Sequence, residues 1–500
     1  MKQLFCSVII CAVVAYAQFG RSGAEWMTDG ADAQRSHWIP ADAQISPDRL
    51  REFQFLWKVK LNNQSVQLNS LTPAVLLDRY IGYRGFRSLA FLSGSANMVY
   101  GIDTDLSRIE WQQPLSAAPP QQGTPTCPGG ITSNVARVLP LGYPTATPGG
   151  GGLGGRGGPA RSAVGTPDQG AVTLAAALRA PVPAPAAPRP PAAARNALGR
   201  AQLIYAVAAD GKLHSLYVST GMEPEPPVDF LPPNANARGL IVMDGVAYAV
   251  TGNCNGAASA VWALDLTTKT VAKWQPAAGS IVGTVGPAFG PNVDVYVTTD
   301  SGDLVALESK TLSFTGRYSA GQAFTSSPVV FPYRGKNLIA AATKDGRIHV
   351  WDGANALAIS ASSSSDGNFD PGALATWQAL DGTRWLLGAA HGPPGTVIAW
   401  RLVSPDAAGV SLERGWVSRD LVAPLTPVVI NGVVFAVSAG DSSTPAVIYA
   451  LDGASGRVLW DSGKTITSFV HSGGVSGGAG QIYLQTFDQT LYAFGFPMER

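Results

Sequence analysis

The sequence predicts an all-β chain folded as an eight-bladed β-propeller, with seven blades as the alternative count. An N-terminal strand, 55–61, is expected to complete the last blade and close the ring. Three observations predict this. A strand–turn–strand pattern recurs and is clearest at 448–460, Ile-Tyr-Ala-Leu-Asp-Gly-Ala-Ser-Gly-Arg-Val-Leu-Trp. From Val261 onward its copies start about 43 to 51 residues apart, a period that holds several short strands per repeat. The two ends of the pattern complement each other. Residues 55–61 form a Trp-bearing strand with no hairpin before it, and 481–484 and 491–494 form strands with no Trp strand after them. Joining them hides an open sheet edge and makes the repeat count whole.

Each copy can be justified from its residues. Ile448 and Ala450 alternate with their neighbours as a half-buried strand does. Asp452 to Gly456 supplies turn chemistry, since Asp, Gly and Ser bond or bend their own backbone. Val458 to Trp460 begins the returning strand. Residues 99–111 repeat the pattern, with Trp111 eight positions after Asp103, and 261–274 repeat it with one residue more. Weaker echoes lie at 304–308, 348–352, 397–400 and 491–494. The strand groups fall at about 71–115, 124–222, 236–277, 281–320, 323–360, 370–418, 422–464, and 468–497 joined to 55–61. Each begins near a small residue or Pro, as in Leu71-Thr72-Pro73 and Val285-Gly286-Pro287, which suits strands crowded around an axis.

The motif Ala-x-Asp-x-x-x-Gly-x-x-x-Trp resembles the tryptophan-docking repeat of pyrroloquinoline-quinone (PQQ) propellers. Ala450, Asp452, Gly456 and Trp460 match it fully; Asp103 with Trp111, and Ala263, Asp265 and Trp274, match it in part. The resemblance spans roughly 53–497. It implies that Trp57, Trp111, Trp274 and Trp460 dock between adjacent blades, where each ring can bury a large apolar area. It specifies the fold far more than the function.

Composition narrows the function classes. Charged residues are 14% of the chain and the net charge is +1, so there is no basic field for nucleic acid. Residues 1–17 read as a signal peptide: Lys2, an apolar core from Phe5 to Val14, then Ala15-Tyr16-Ala17. That run is too short to span a bilayer, and no other membrane segment appears. The expected location is periplasmic or secreted, and the expected state a monomer. Cys6 and Cys11 leave with the signal; Cys127 and Cys254 remain, either as a disulfide or as two thiols.

Residues 18–52 read as an irregular leader, with a short helix around 47–53, of a kind that packs across one end of a propeller. His37 and Trp38 read as packing residues. Residues 142–199 hold runs such as Gly149 to Gly152 and almost no aromatics, which predicts a disordered insertion in the second blade. His214 and His349 fall in strands and read as structural. His391 and His471, with Asp370 and Asp441 in loops, are candidates for the mouth of the central channel. Arg84 and Arg87, in and beside the turn 82–86, read as exposed cations able to hold an anion.

A PQQ dehydrogenase, as the resemblance implies, holds the quinone flat on a Trp ring, often under a disulfide of adjacent cysteines. Ca²⁺ polarises its carbonyl and an Asp takes the substrate proton. This chain has no adjacent cysteines, no recognisable Glu, Asn and Asp set, and no Cys-x-x-Cys-His haem site. No metal ligand set can be named from His spacing. Two readings follow. One is a non-enzymatic binding or scaffold propeller that meets a protein or carbohydrate partner through loops at one face. The other is a PQQ- and calcium-dependent oxidoreductase with diverged site residues.

Overall fold

A sheet pressed between two neighbours has both faces buried, so its middle strands are apolar throughout. Val433–Ser438 and Val246–Thr251 are buried at every position, whereas outermost strands such as Phe314–Ser319 alternate between exposed and half-buried. The computed structural model describes residues 25–497, apart from 143–201 and the short stretches 83–84, 117–122, 125, 255, 292–293, 355–357, 405–408 and 472. The expected signal peptide and nearly all of the insertion 142–199 lie outside the described residues. The strands treated below belong to one unit of the chain, Arg21–Pro148 with Leu203–Arg500.

Among the described residues the strands form seven sheets that divide into eight four-stranded antiparallel units. Blade 1 runs from Val75–Gly82 to Arg108–Pro114 and blade 2 from Ala136–Leu139 to Val228–Asp229. Blade 3 runs from Ala237–Met243 to Val271–Trp274, blade 4 from Ala288–Phe289 to Phe314–Ser319, and blade 5 from Val329–Tyr333 to Ala358–Ser362. Blade 6 runs from Ala375–Gln378 to Ser411–Val417 and blade 7 from Val428–Ile430 to Val458–Asp461. Blade 2 extends past the expected limit of 222, because its fourth strand is the short Val228–Asp229.

Blade 8 begins at Val475–Gly478 and is completed by Gln54–Lys60, which pairs with Thr490–Gly495 in the register Val59 to Leu491. This is the closure that the incomplete end repeats predict. First strands of successive blades meet side by side. Ala136–Leu139 lies parallel to Ala237–Met243, and Val75–Gly82 of blade 1 touches Val475–Gly478 of blade 8. The core consists mainly of apolar clusters in the seams between blades, such as Phe91, Val99, Ile204 and Leu216 between blades 1 and 2.

A bulge recurs in the outermost strand of six blades. It skips one residue just before the tryptophan position, as between Ala399 and Trp400 opposite Trp416 and Arg414. Such a bulge adds local twist and re-aims the next side chain. The residue facing the indole is small: Ala493 for Trp57, Gly101 for Trp111, Ala399 for Trp416 and Ala450 for Trp460.

Trp57 Nε1 donates to the Thr104 carbonyl of blade 1, and Trp111 Nε1 donates to the Val218 carbonyl of blade 2. Trp460 packs edge-on to Phe53 with 5.0 Å between centroids, and Trp274 packs into the seam between blades 3 and 4. Trp416, which lies outside the Ala-x-Asp repeat, does the same work: its Nε1 donates to the Gly453 carbonyl of blade 7 at 2.9 Å. Its strand is preceded by Ala399-Trp400-Arg401, so the Ala-x-Asp signal was absent there. In blades 4 and 5 the docking position is taken by Gly316 and Ala361. Buried Trp351 and Trp400, from third strands, fill those seams instead.

Candidate functional site

The leader has a definite path: residues 26–39 pass around the inner edges of the ring and bond to the first strands of blades 1 to 7 in turn. Leu76 N–H donates to the Trp26 carbonyl and Arg137 N–H to Met27; Thr28 Oγ1 donates to the Leu240 carbonyl. Phe289 N–H then meets Ala33, Val330 meets Gln34, Thr376 meets Ser36 and Val429 meets His37. Trp38–Ile39 adds a parallel strand to blade 7, and Asp42 accepts from Gly480 N–H at the hairpin of blade 8. A 3-10 helix at Pro47–Glu52 then leads into the closing strand. The physical reason is an obligation: inner strands whose outer edges face an axis carry backbone donors that need acceptors.

The strap is polar at its centre. Arg35 is fully buried, and its guanidinium donates to the carbonyls of Pro287 (2.8 Å), Gly239 (2.7 Å) and Asp29 (2.6 Å) and to Thr28 Oγ1 (3.0 Å). Asp32 accepts from Ser36 N–H at 3.0 Å and from its hydroxyl. Asp29 and Asp32 are half-buried, with protein packed densely around both. Burial therefore pushes both carboxyls up to about 6, against the pull of Arg35 and, for Asp32, of its Ser36 hydrogen bonds. Burial also lowers Arg35 to about 10 and His37 to about 4. Ala31, Arg35 and His37 all have positive φ (76°, 60° and 52°), a conformation that side chains avoid unless their surroundings impose it.

The expected channel-mouth residues are not gathered into one cluster. Asp370 and His391 do meet, with Nδ1 to Oδ1 at 2.7 Å, while Nε2 contacts the Pro424 carbonyl at 3.1 Å. Both ring nitrogens are thereby engaged, and the pair ties the loops of blades 6 and 7 together. Asp441 bends its own loop by accepting from Ser443 N–H and Oγ, and those bonds lower its carboxyl. His471 is lowered by burial, opposed by a bond to the Leu68 backbone.

Arg84 lies outside the described residues. Arg87 corrects the sequence reading: it is no exposed cation. It sits in the strand Gly85–Gly94, 12% exposed, with Glu110 Oε2 at 3.0 Å and Asp103 Oδ2 at 3.9 Å. The turn 82–86 signalled exposure, but the strand continues the barrier of blade 1 and points Arg87 at two carboxylates. His214 is buried against Glu223 at 2.5 Å, and His349 bonds Ser362 at 2.8 Å. Cys127 and Cys254 form a disulfide with 5.4 Å between Cα atoms, joining the loop that enters blade 2 to a loop of blade 3.

These residues do not fit PQQ with calcium. A flat quinone needs free space beside the inner strands, and the strap lies against those strands, with Trp26, Arg35 and His37 each at most 4% exposed. The docking indoles are committed to seams, and the disulfide is not one of adjacent cysteines. Among the described residues no three His, Cys, Asp or Glu side chains come together as a metal site. Among them, too, no helix is long and apolar enough to cross a membrane.

No family model matches the chain, and no curated protein matches it. Solved structures do. The quinohemoprotein alcohol dehydrogenase from Comamonas testosteroni aligns at 14% identity and TM-score 0.58, over 95% of this chain and 82% of that one. A europium-containing methanol dehydrogenase aligns at 10% identity and TM-score 0.55, over 95% and 98%. BamB from Moraxella catarrhalis aligns at 13% identity over 89% and 100%, but at TM-score 0.48 it carries no argument. At such identities the likeness establishes a PQQ-like β-propeller fold and nothing of activity.

Proposed function

We propose that this chain is an exported, monomeric propeller that works as a non-enzymatic binding or scaffold module. Its partner is a protein or carbohydrate surface met by loops at one face. One observation supports this reading: the inner strands, beside which a propeller dehydrogenase would need room for its cofactor, are bonded by the chain's own residues 26–39 in seven of the eight blades. The disulfide is consistent with an oxidising compartment, periplasmic or extracellular. The other reading, a PQQ- and calcium-dependent alcohol or sugar oxidoreductase, is decided by the same experiment. The purified chain is titrated with PQQ and Ca²⁺ by calorimetry, then assayed with alcohols, sugars and a dye acceptor. The expected result is neither heat of binding nor dye reduction. Saturable PQQ uptake with dye reduction overturns the scaffold reading.

A further inference from the structure

The seam between blades 3 and 4 has an unusual backbone at the axis. Gly239 and Gly286 both have positive φ, 63° and 76°, and they approach so closely that a Cβ on Gly286 would lie 2.9 Å from the Gly239 Cα. Only glycine tolerates both conditions. At the same point the register of Ala237–Met243 against its neighbour shifts between Arg238 and Ile241, a bulge that takes Gly239 out of the ladder. Its carbonyl is thereby free to face the axis. So is the carbonyl of Pro287, which directly follows the second glycine. The Thr28 hydroxyl and Asp29 carbonyl complete four oxygens within 2.6 to 3.0 Å of one guanidinium. Two carboxyls, Asp29 and Asp32, stand near enough to balance its charge.

We propose that this seam is a guanidinium-binding site that ring and strap build together, two oxygens from each, that Arg35 is its ligand in cis, and that this contact latches the strap to the inner edges of blades 3 and 4. The planar fork of a guanidinium suits oxygens spread around its edge, which a compact ammonium cannot reach together. Elsewhere the strap makes one or two bonds to each blade, as through Thr28 Oγ1 to the Leu240 carbonyl and Gln34 Nε2 to the Phe289 carbonyl, and its left-handed residues oppose docking. The Arg35 contact is where the ring departs from regular geometry to receive the strap.

The test is chemical rescue in the full chain. Hydrogen exchange is followed at the amides of Phe289, Val330, Thr376 and Val429, which bond to strap carbonyls. Arg35→Ala is expected to lower their protection at least tenfold while amides in middle strands such as Val433–Ser438 keep theirs. Guanidinium chloride at low millimolar, non-denaturing concentration should then restore protection saturably, by about tenfold at ten times its Kd. Equal sodium chloride should not, and the wild type should not respond. No saturable rescue overturns the proposal. If Arg35→Ala fails to fold, Gly286→Ala decides. It blocks the cradle without touching the strap and should loosen the same four amides; unchanged protection there overturns the proposal equally.

Discussion

Replacing His37 by Gln should turn the axial strap from a pH-tolerant contact into a steeply pH-dependent one. Asp29 and Asp32 bind protons more tightly in the docked strap, near 6 instead of 3.8. Their contribution to docking is therefore full below 3.8 and lost as pH rises through 6. His37 has the opposite sign. Its affinity falls from 6.5 to about 4 on docking, so its contribution is present above 6.5 and lost as pH falls through 4. The charged neighbours are few. Arg35 acts on all three groups. Arg238 of blade 3 is spent on the carbonyls of Gly283 and Ile281, Arg137 of blade 2 on Glu25, and Asp78 of blade 1 on the Ser88 hydroxyl. The first strands of blades 4 to 8 carry no acidic, basic or histidine residue.

Each tenfold change in proton affinity is about 1.4 kcal/mol. Between pH 4.5 and 6.5, strap release should become about tenfold easier in the wild type, because His37 offsets much of the carboxyl effect. In His37→Gln it should become about 400-fold easier. In the double variant Asp29→Asn with Asp32→Asn the sign reverses, and release is about 40-fold harder at pH 6.5. The half-buried positions of the carboxyls make these upper values. Hydrogen exchange at Val330, Thr376 and Val429, corrected for intrinsic rates, measures the release. Parallel pH profiles for wild type and His37→Gln would refute the assignment of opposing titrations.

Further predictions concern the seams. Reducing Cys127–Cys254, or replacing both by Ser, should lower stability in urea by up to about 5 kcal/mol on the chain-entropy account of a 127-residue separation; coincident melts speak against a stabilising bond. Trp416→Ala should cost about 3 to 5 kcal/mol in the same assay, since the ring is 7% exposed and its N–H is bonded across the seam; a loss below 1 kcal/mol would deny it a docking role. Gly456→Ala should cost a similar amount with Trp416 itself unchanged, because the new Cβ would lie 2.6 Å from Trp416 Cε3 and push the indole from its seat; additive losses in the double variant would show that the two do not share one contact.

Much of the scaffold was legible in the residues themselves. Period-2 alternation, Asp-Gly turns and the Ala-x-Asp motif before the Trp are local, and local patterns repeat wherever the same sheet is built. The unfinished repeats at the two ends also determined the closure, since an unpaired strand edge at 55–61 and another at 490–495 satisfy each other. Arg87 shows where local reading stops: a Gly-flanked turn reads as exposed, and only the strand that continues from it brings Glu110 and Asp103 alongside. Trp416 was hidden because its partner strand carries Trp400-Arg401 in place of the expected Asp. The strap was beyond any sequence pattern. Residues 26–39 look irregular because most of them join no ladder of nearby sequence; their carbonyls accept from donors on six separate strands, from Leu76 to Val429, and the Thr28 hydroxyl donates to a seventh. Such a match exists only once those strands have been brought around one axis, and so does the burial that shifts Asp29, Asp32 and His37.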